Sequence, residues 1–181
     1  MKNRWMNLLT LALIVFVFPI AVSAMDYPQK LEAKDMDFSW RIDGDQIHIK
    51  LSAKTTGWVA IGFDPEKAMQ GANIIIGAVK KGKFKVEDHY GNKRRGHSSD
   101  KALGGNNDVM NASGSEIDGI TTISFSIPLD TGDKYDKSIT PDKMTKIMLG
   151  YGTGKDSFRT RHPYRAVYEV NLMTGEHNEI K

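Results

Sequence analysis

Residues 57–63 read Gly57-Trp58-Val59-Ala60-Ile61-Gly62-Phe63, and the architecture follows from them. Val59, Ile61 and Phe63 fall on one side of an extended backbone, and Trp58, Ala60 and Gly62 on the other. That is the two-residue period of a strand with one bulky and one small face, little exposed to solvent. Asp64-Pro65 ends it, because proline has no N–H to give a ladder, and Ile74-Ile75-Ile76 restarts a buried strand. The loop between them holds Met69 beside Gly71 and Ala72, residues too small to keep a flat ligand from the backbone. A thioether presented in this way is a candidate metal ligand.

Outward from this centre the chain continues in short alternating runs. Phe38 and Trp40 precede the turn Asp43-Gly44-Asp45, after which Ile47, Ile49 and Leu51 alternate with Gln46, His48 and Lys50, a hairpin that puts His48 on its polar face. Asn73 to Val79 and Lys83 to Tyr90 form a second hairpin across Lys80-Lys81-Gly82, with Phe84, Val86, Asp88 and Tyr90 on a shared face. Asp88 therefore sits among apolar residues and must be paired, most simply by a hydrogen bond to a loop. Gly91 to Gly119 is rich in Gly, Asn, Ser and Asp and reads as a long loop with one short strand near Val109 to Ala112. Within it His97 offers a candidate ligand, with an exposed loop histidine the simpler reading. Asp100, Asn106, Asn107 and Asp108 offer oxygens for calcium but lack EF-hand spacing, so turn formation is the better reading. Ile120 to Leu129, Lys146 to Tyr151 and Tyr164 to Leu172 supply the later strands. With no helical periodicity and no repeat, the pattern predicts an all-β protein, an immunoglobulin-like antiparallel β-sandwich of about eight to ten strands.

The N-terminus adds a compartment. Lys2 and Arg4 precede an apolar run from Leu8 to Ile20, followed by Ala21-Val22-Ser23-Ala24, so residues 1–24 read as a secretory signal and residues 25–181 as one exported domain, periplasmic or extracellular. An uncleaved membrane anchor is the lesser alternative. The chain has no cysteine, so an exported fold rests on its packed core and not on disulfides. The same absence excludes a thioether-linked haem, an iron–sulfur cluster and a thiolate zinc site. Without Lys2 and Arg4 the 25 basic residues become 23 against 22 acidic ones, a balance that does not indicate nucleic acid. Lys80-Lys81-Gly82-Lys83 and Lys93-Arg94-Arg95 read as solvated turns.

GWVAIGF followed by a Met-x-Gly-Ala segment and an aliphatic strand resembles the DOMON family, including its haem-binding cytochrome members, over about Asp35 to Leu172. The resemblance implies haem b, held non-covalently by a methionine in this loop and a histidine near the last strand. The matching positions are Met69 and His162, the latter in Arg161-His162-Pro163-Tyr164, where the following proline holds the histidine extended. A Met/His pair fills both axial positions, which points to single-electron transfer and away from oxygen or substrate binding at the iron. Trp58, Phe63, Gly71, Ile74, Met110, Tyr151, Phe158 and Tyr164 are the expected lining, with Arg159 or Arg161 pairing a propionate. Whether Met69 and His162 share an end of the sandwich depends on the strand count within Gly91 to Gly119, which the sequence leaves open.

The expected partner is a redox protein or a membrane electron carrier. A second reading is a carbohydrate- or small-ligand-binding module without haem, which the resembled family also implies; Trp40 and Trp58, however, both read as facing inward. No serine sits in a nucleophile-elbow context and no catalytic constellation is seen, so enzymatic activity of the chain by itself is not expected.

Overall fold

In the computed structural model, which describes residues 25–180, the alternating runs become twelve strands and one turn of helix. The signal reading falls on residues 1–24 and lies outside the described residues. In chain order the strands are β1 (Gln29–Ala33), β2 (Met36–Asp43), β3 (Gln46–Ala53), β4 (Val59–Phe63), β5 (Asn73–Lys80), β6 (Lys83–Lys93) and β7 (Gly96–Ser99). A short helix α1 (Asp100–Leu103) follows, then β8 (Met110–Ile117), β9 (Ile120–Pro128), β10 (Met144–Tyr151), β11 (Tyr164–Asn171) and β12 (His177–Ile180). They form two antiparallel sheets, a five-stranded one in the order β1-β2-β3-β9-β8 and a seven-stranded one in the order β12-β11-β10-β4-β5-β6-β7. The all-β sandwich is as the sequence pattern predicts.

The core lies between the sheets and is built from one face of each strand. Phe38 and Trp40 of β2, Ile47, Ile49 and Leu51 of β3, and Ile123 and Phe125 of β9 meet Val59, Ile61 and Phe63 of β4, Ile75 of β5, and Ile147 and Leu149 of β10. Trp40 is fully buried, stacked on Phe38 at 4.3 Å, and its Nε1–H donates to the Leu172 carbonyl at 2.7 Å. The buried indole thus ties the first sheet to the end of β11 and satisfies its one polar atom.

Two expectations about local structure are corrected. The stretch Gly91 to Gly119 is not one long loop: β6 runs on to Lys93, β7 and α1 follow at once, and β8 is a full strand of eight residues. Its glycines and serines hide the pattern because β8 is an edge strand whose residues are half-buried or exposed, so no apolar alternation marks it. The edge strands β7 and β12 lack a clear signal for the same reason, while β1 alternates with Leu31 and Ala33 buried but is only five residues long; these three lift the count to twelve among the described residues. Phe84 shares the face of Val86 and Asp88 as expected, yet lies 46% exposed at the end of β6.

Candidate cofactor-binding groove

The candidate site lies on the outside of the seven-stranded sheet. Register alone assembles it. Val167, Met148, Gly62, Ile74 and His89 stand in one row across β11, β10, β4, β5 and β6, and Arg165, Gly150, Ala60, Ile76 and Glu87 in the next. An outer sheet face is normally polar, but here its centre is apolar: Ala60 and Gly150 pair side by side, Met148 and Ile74 lie over Gly62, and Ile76 flanks them. Trp58, Ala60, Ile76 and Ala78 form a second buried cluster there, with Phe158 packed on it. The loop between β10 and β11 closes over one side. The result is a groove of about 1540 Å³, above the common range for small-molecule sites.

Met69 and His162 both border this groove. Met69 reaches it from the loop after β4, which turns through positive φ at Asp64, Ala68 and Gly71. That loop is pinned to β6 by hydrogen bonds from Gly71 N to Gly91 O (2.8 Å) and from Gly91 N to Ala72 O (2.9 Å). The approach is so close that a side chain on Gly91 would overlap the Met69 carbonyl, which is why glycine stands there. His162 enters from the opposite side, edge-on to Trp58 with ring centroids 6.5 Å apart. Trp58 Nε1–H donates to Thr160 Oγ1 (2.9 Å), and Thr160 Oγ1 donates to the Ser157 carbonyl (2.8 Å), so the indole anchors the loop that carries the histidine. Gly152 lets that indole lie flat across the backbone. Burial first, then the Arg165 charge, lowers the affinity of His162 for a proton.

Of the expected lining residues, Trp58, Ile74, Phe158, Arg159 and Arg161 border the groove. The others are placed elsewhere. Phe63 and Tyr151 point the opposite way, into the core between the sheets, because odd and even residues of a strand face opposite sides. Tyr164 stacks on Tyr151 at 5.4 Å against that same core. Met110 belongs to β8 of the other sheet, and the space beside Gly71 is filled by Glu66.

The groove also holds two histidines outside the expected Met69 and His162 pair. His89 continues the outward row of Lys85 and Glu87 and is buried, and His97 on β7 is half-buried, not an exposed loop residue. Their Nδ1 atoms lie 2.8 Å apart, and His89 Nε2 lies 3.4 Å from Glu87 Oε2. Lys85 pairs with the same Glu87 oxygen at 2.9 Å, and Phe158 packs edge-on to His89 with centroids 5.9 Å apart. Burial holds the His97 pKa at about 4 and lowers that of His89. Alternation along β6 is enough to assign His89 to the outer face; its closeness to His97 depends on the irregular pairing after Tyr90.

On the inner face of β6 Asp88 is buried as expected, and its partner is loop backbone: Asp108 N donates to Asp88 Oδ2 at 3.2 Å. Asp88, Asp108 and Asp136 each bring a carboxylate oxygen within 4.8 Å of the others. Burial, then Asp136 and Asp100, raises Asp88 to about 8; burial, then Asp136, raises Asp100 to about 7; burial raises Asp136 to about 6. These groups hold protons in the folded chain that the unfolded chain has released, so their contribution is full in acid and is lost as pH rises through about 6 to about 8. His97 acts in the opposite sense, but only below the ordinary histidine range. Urea unfolding in chelator is therefore expected to show stability falling between about pH 6.5 and about pH 8, by up to roughly 1.4 kcal/mol per pH unit per proton, and Asp88→Asn should flatten the slope. A stability that rises over this interval would contradict the burial of these carboxylates.

The chain is similar to several known proteins. A family model described as DOMON domain matches residues 32–152. DBH-like monooxygenase protein 1 of Homo sapiens is 33% identical over 144 residues, covering 78% of this chain and 23% of that protein. MOXD1 homolog 2 of Drosophila melanogaster is 29% identical over 143 residues, covering 72% of this chain and 19% of that protein. The chain thus spans about a fifth of the length of these curated relatives. Among solved structures, the cytochrome b domain of pyranose dehydrogenase from Coprinopsis cinerea superposes with a TM-score of 0.61 at 13% identity, over 81% of this chain and 84% of that one.

Proposed function

This chain belongs to the DOMON domain family, and from that premise we propose that it is an exported b-type haem-binding domain that carries single electrons, with Met69 and His162 as axial ligands. The observation that carries the reading is that a thioether and an imidazole from distant parts of the chain border one groove whose floor is apolar, built from Ala60, Gly150, Met148, Ile74 and Ile76. The donor set fits such a group: one soft sulfur, one nitrogen, apolar walls and arginines at the rim.

Bound there, haem b supplies one-electron chemistry. The protein residues do the rest. Met69 offers a weak, uncharged sulfur donor, which favours the reduced state relative to a second histidine. His162 is set by its place before Pro163 and by the Trp58 edge, and its lowered proton affinity keeps a ring nitrogen free to donate. Arg159 and Arg161, both exposed at the rim, would hold propionate carboxylates through charge-assisted bonds. Trp58 and Phe158 exclude water from the apolar side. With Met69 and His162 as the residues that would hold the group, the chain would pass electrons to a redox protein or a membrane carrier and would not transform a substrate by itself. Among the described residues no helix is long and apolar enough to cross a membrane. A carbohydrate-binding role is less favoured, since Trp40 is 0% and Trp58 5% exposed and neither offers an open stacking platform.

Haem titration of the purified chain is expected to give one equivalent of a sharp low-spin Soret spectrum. Ala60→Phe, which places a ring on the apolar floor and leaves both ligand residues in the chain, should abolish stoichiometric uptake. Equal uptake by this variant would place the haem elsewhere.

A further inference from the structure

Arginine is not spread evenly over this protein. Among the described residues the arginines are Arg41, Arg94, Arg95, Arg159, Arg161 and Arg165, and all but Arg41 border the groove, whereas of the lysines only Lys85 does. Arg41 pairs with Asp43 at 2.7 Å and Lys85 with Glu87 at 2.9 Å. The groove arginines are all exposed and, among the described residues, in no ion pair, although Asp156 and Glu179 share the border. A single solvated arginine needs no partner. Their concentration at one mouth makes a positive field there, and the planar guanidinium fork is the group best shaped to hold carboxylates.

The arginines stand on two flanks. Arg94 and Arg95 lie in the turn between β6 and β7, tied to the Met69 loop by the bond from Met69 N to Arg94 O (3.3 Å). Arg159 and Arg161 lie in the loop between β10 and β11, and Arg165 is on β11 itself. Strands β5, β4 and β10 lie between β6 and β11, so four strand spacings put the flanks roughly 19 Å apart. The two propionates of a haem leave from one edge of its ring. Held by Arg159 and Arg161, they would leave Arg94, Arg95 and Arg165 facing outward around the mouth.

We propose that Arg94, Arg95 and Arg165 form the contact ring for an acidic face of a redox partner protein, which docks over the mouth of the groove. This deepens the electron-transfer reading and rests on it. Carboxylates of the partner take the cations that propionates leave, and the opposite charges steer the encounter so that the two electron carriers meet edge to edge. A membrane surface matches less well, because anionic lipid attracts any exposed cation and would draw the turn Lys80-Lys81-Gly82-Lys83, which is exposed but lies off the groove.

Poly-L-glutamate serves as the acidic probe of the haem-free full chain, so that the surface is measured apart from haem uptake. It should bind saturably at about 20 mM salt and at least about 10-fold more weakly at about 200 mM, where the screening length is about threefold shorter. Arg94→Gln combined with Arg95→Gln, and Arg165→Gln, should weaken binding by about 2- to 5-fold per arginine removed, while Lys80→Gln combined with Lys81→Gln should change it by less than about 2-fold. In the reduced, haem-loaded chain, oxidation by hexacyanoferrate(III) should slow as salt rises and oxidation by hexaammineruthenium(III) should quicken, and both slopes should shrink in the double arginine variant. Absence of polyglutamate binding at low salt, binding undiminished in the arginine variants, or attachment to phosphatidylserine vesicles in its place would overturn the proposal. A chain that binds polyglutamate through these arginines but gives no Soret band with haem would overturn the redox character of the partner, and with it the proposed function, while keeping the acidic one.

Discussion

Loaded with haem, a chain carrying Met69→Ala is expected to lose the sharp low-spin Soret band, and one carrying His162→Ala to lose it as well. The expected loss is coordinative and not structural. Met69 is half-buried in a surface loop and His162 half-buried at the mouth of β11, so neither truncation hollows the core between the sheets. Each removes one donor and leaves the apolar floor, Trp58 and the arginine rim intact, so the cofactor should still bind but with one protein donor fewer. A second pair separates ligation from lost packing. Met69→His should restore a low-spin spectrum at a lower reduction potential, since the thioether raises the potential relative to imidazole. Met69→Leu, with similar volume and no donor, should not restore it. Spectra unchanged in both alanine variants would remove these two residues from the coordination.

The largest effect on stability is expected at Trp40, far from the groove. Trp40→Ala deletes a fully buried indole stacked on Phe38 and withdraws the donor at 2.7 Å from the Leu172 carbonyl. Deletions of this size from a packed core cost about 3–5 kcal/mol, and loss of the hydrogen bond places this one toward the upper end. Trp40→Phe keeps most of the volume and should cost about 1–2 kcal/mol. Urea unfolding of the two variants measures both figures. A loss below about 1 kcal/mol for Trp40→Ala would mean that the two sheets are not closed around this ring.

Trp40, Met69 and His162 are all legible in the amino-acid sequence, for different reasons. Trp40 alternates with its neighbours in a strand, so its burial follows from a period of two. Met69 stands out locally through its small neighbours Gly71 and Ala72, but its pairing with His162 comes only through resemblance, because a histidine before proline carries no distinguishing local pattern. Asp88 is legible as a carboxylate on an apolar face, and the structure pairs it with the backbone of Asp108. His97 is not legible, since the glycine- and serine-rich segment around it has the composition of a loop and its strand character comes from the pairing of β7 with β6.

Local pattern establishes the all-β class, the central hairpin and the alternation that sends Trp58, Ala60 and Gly62 to one face and Val59, Ile61 and Phe63 to the other. These are consequences of backbone geometry, because a strand repeats every two residues wherever it is. Which of those faces is core and which is groove is settled only in three dimensions, since both carry apolar residues and the choice depends on where the second sheet packs. The same holds for the meeting of His89 with His97 and for the shared surface that Met69 and His162 border. Those meetings depend on strand order and on a register shift after Tyr90, long-range properties that no window of the sequence contains.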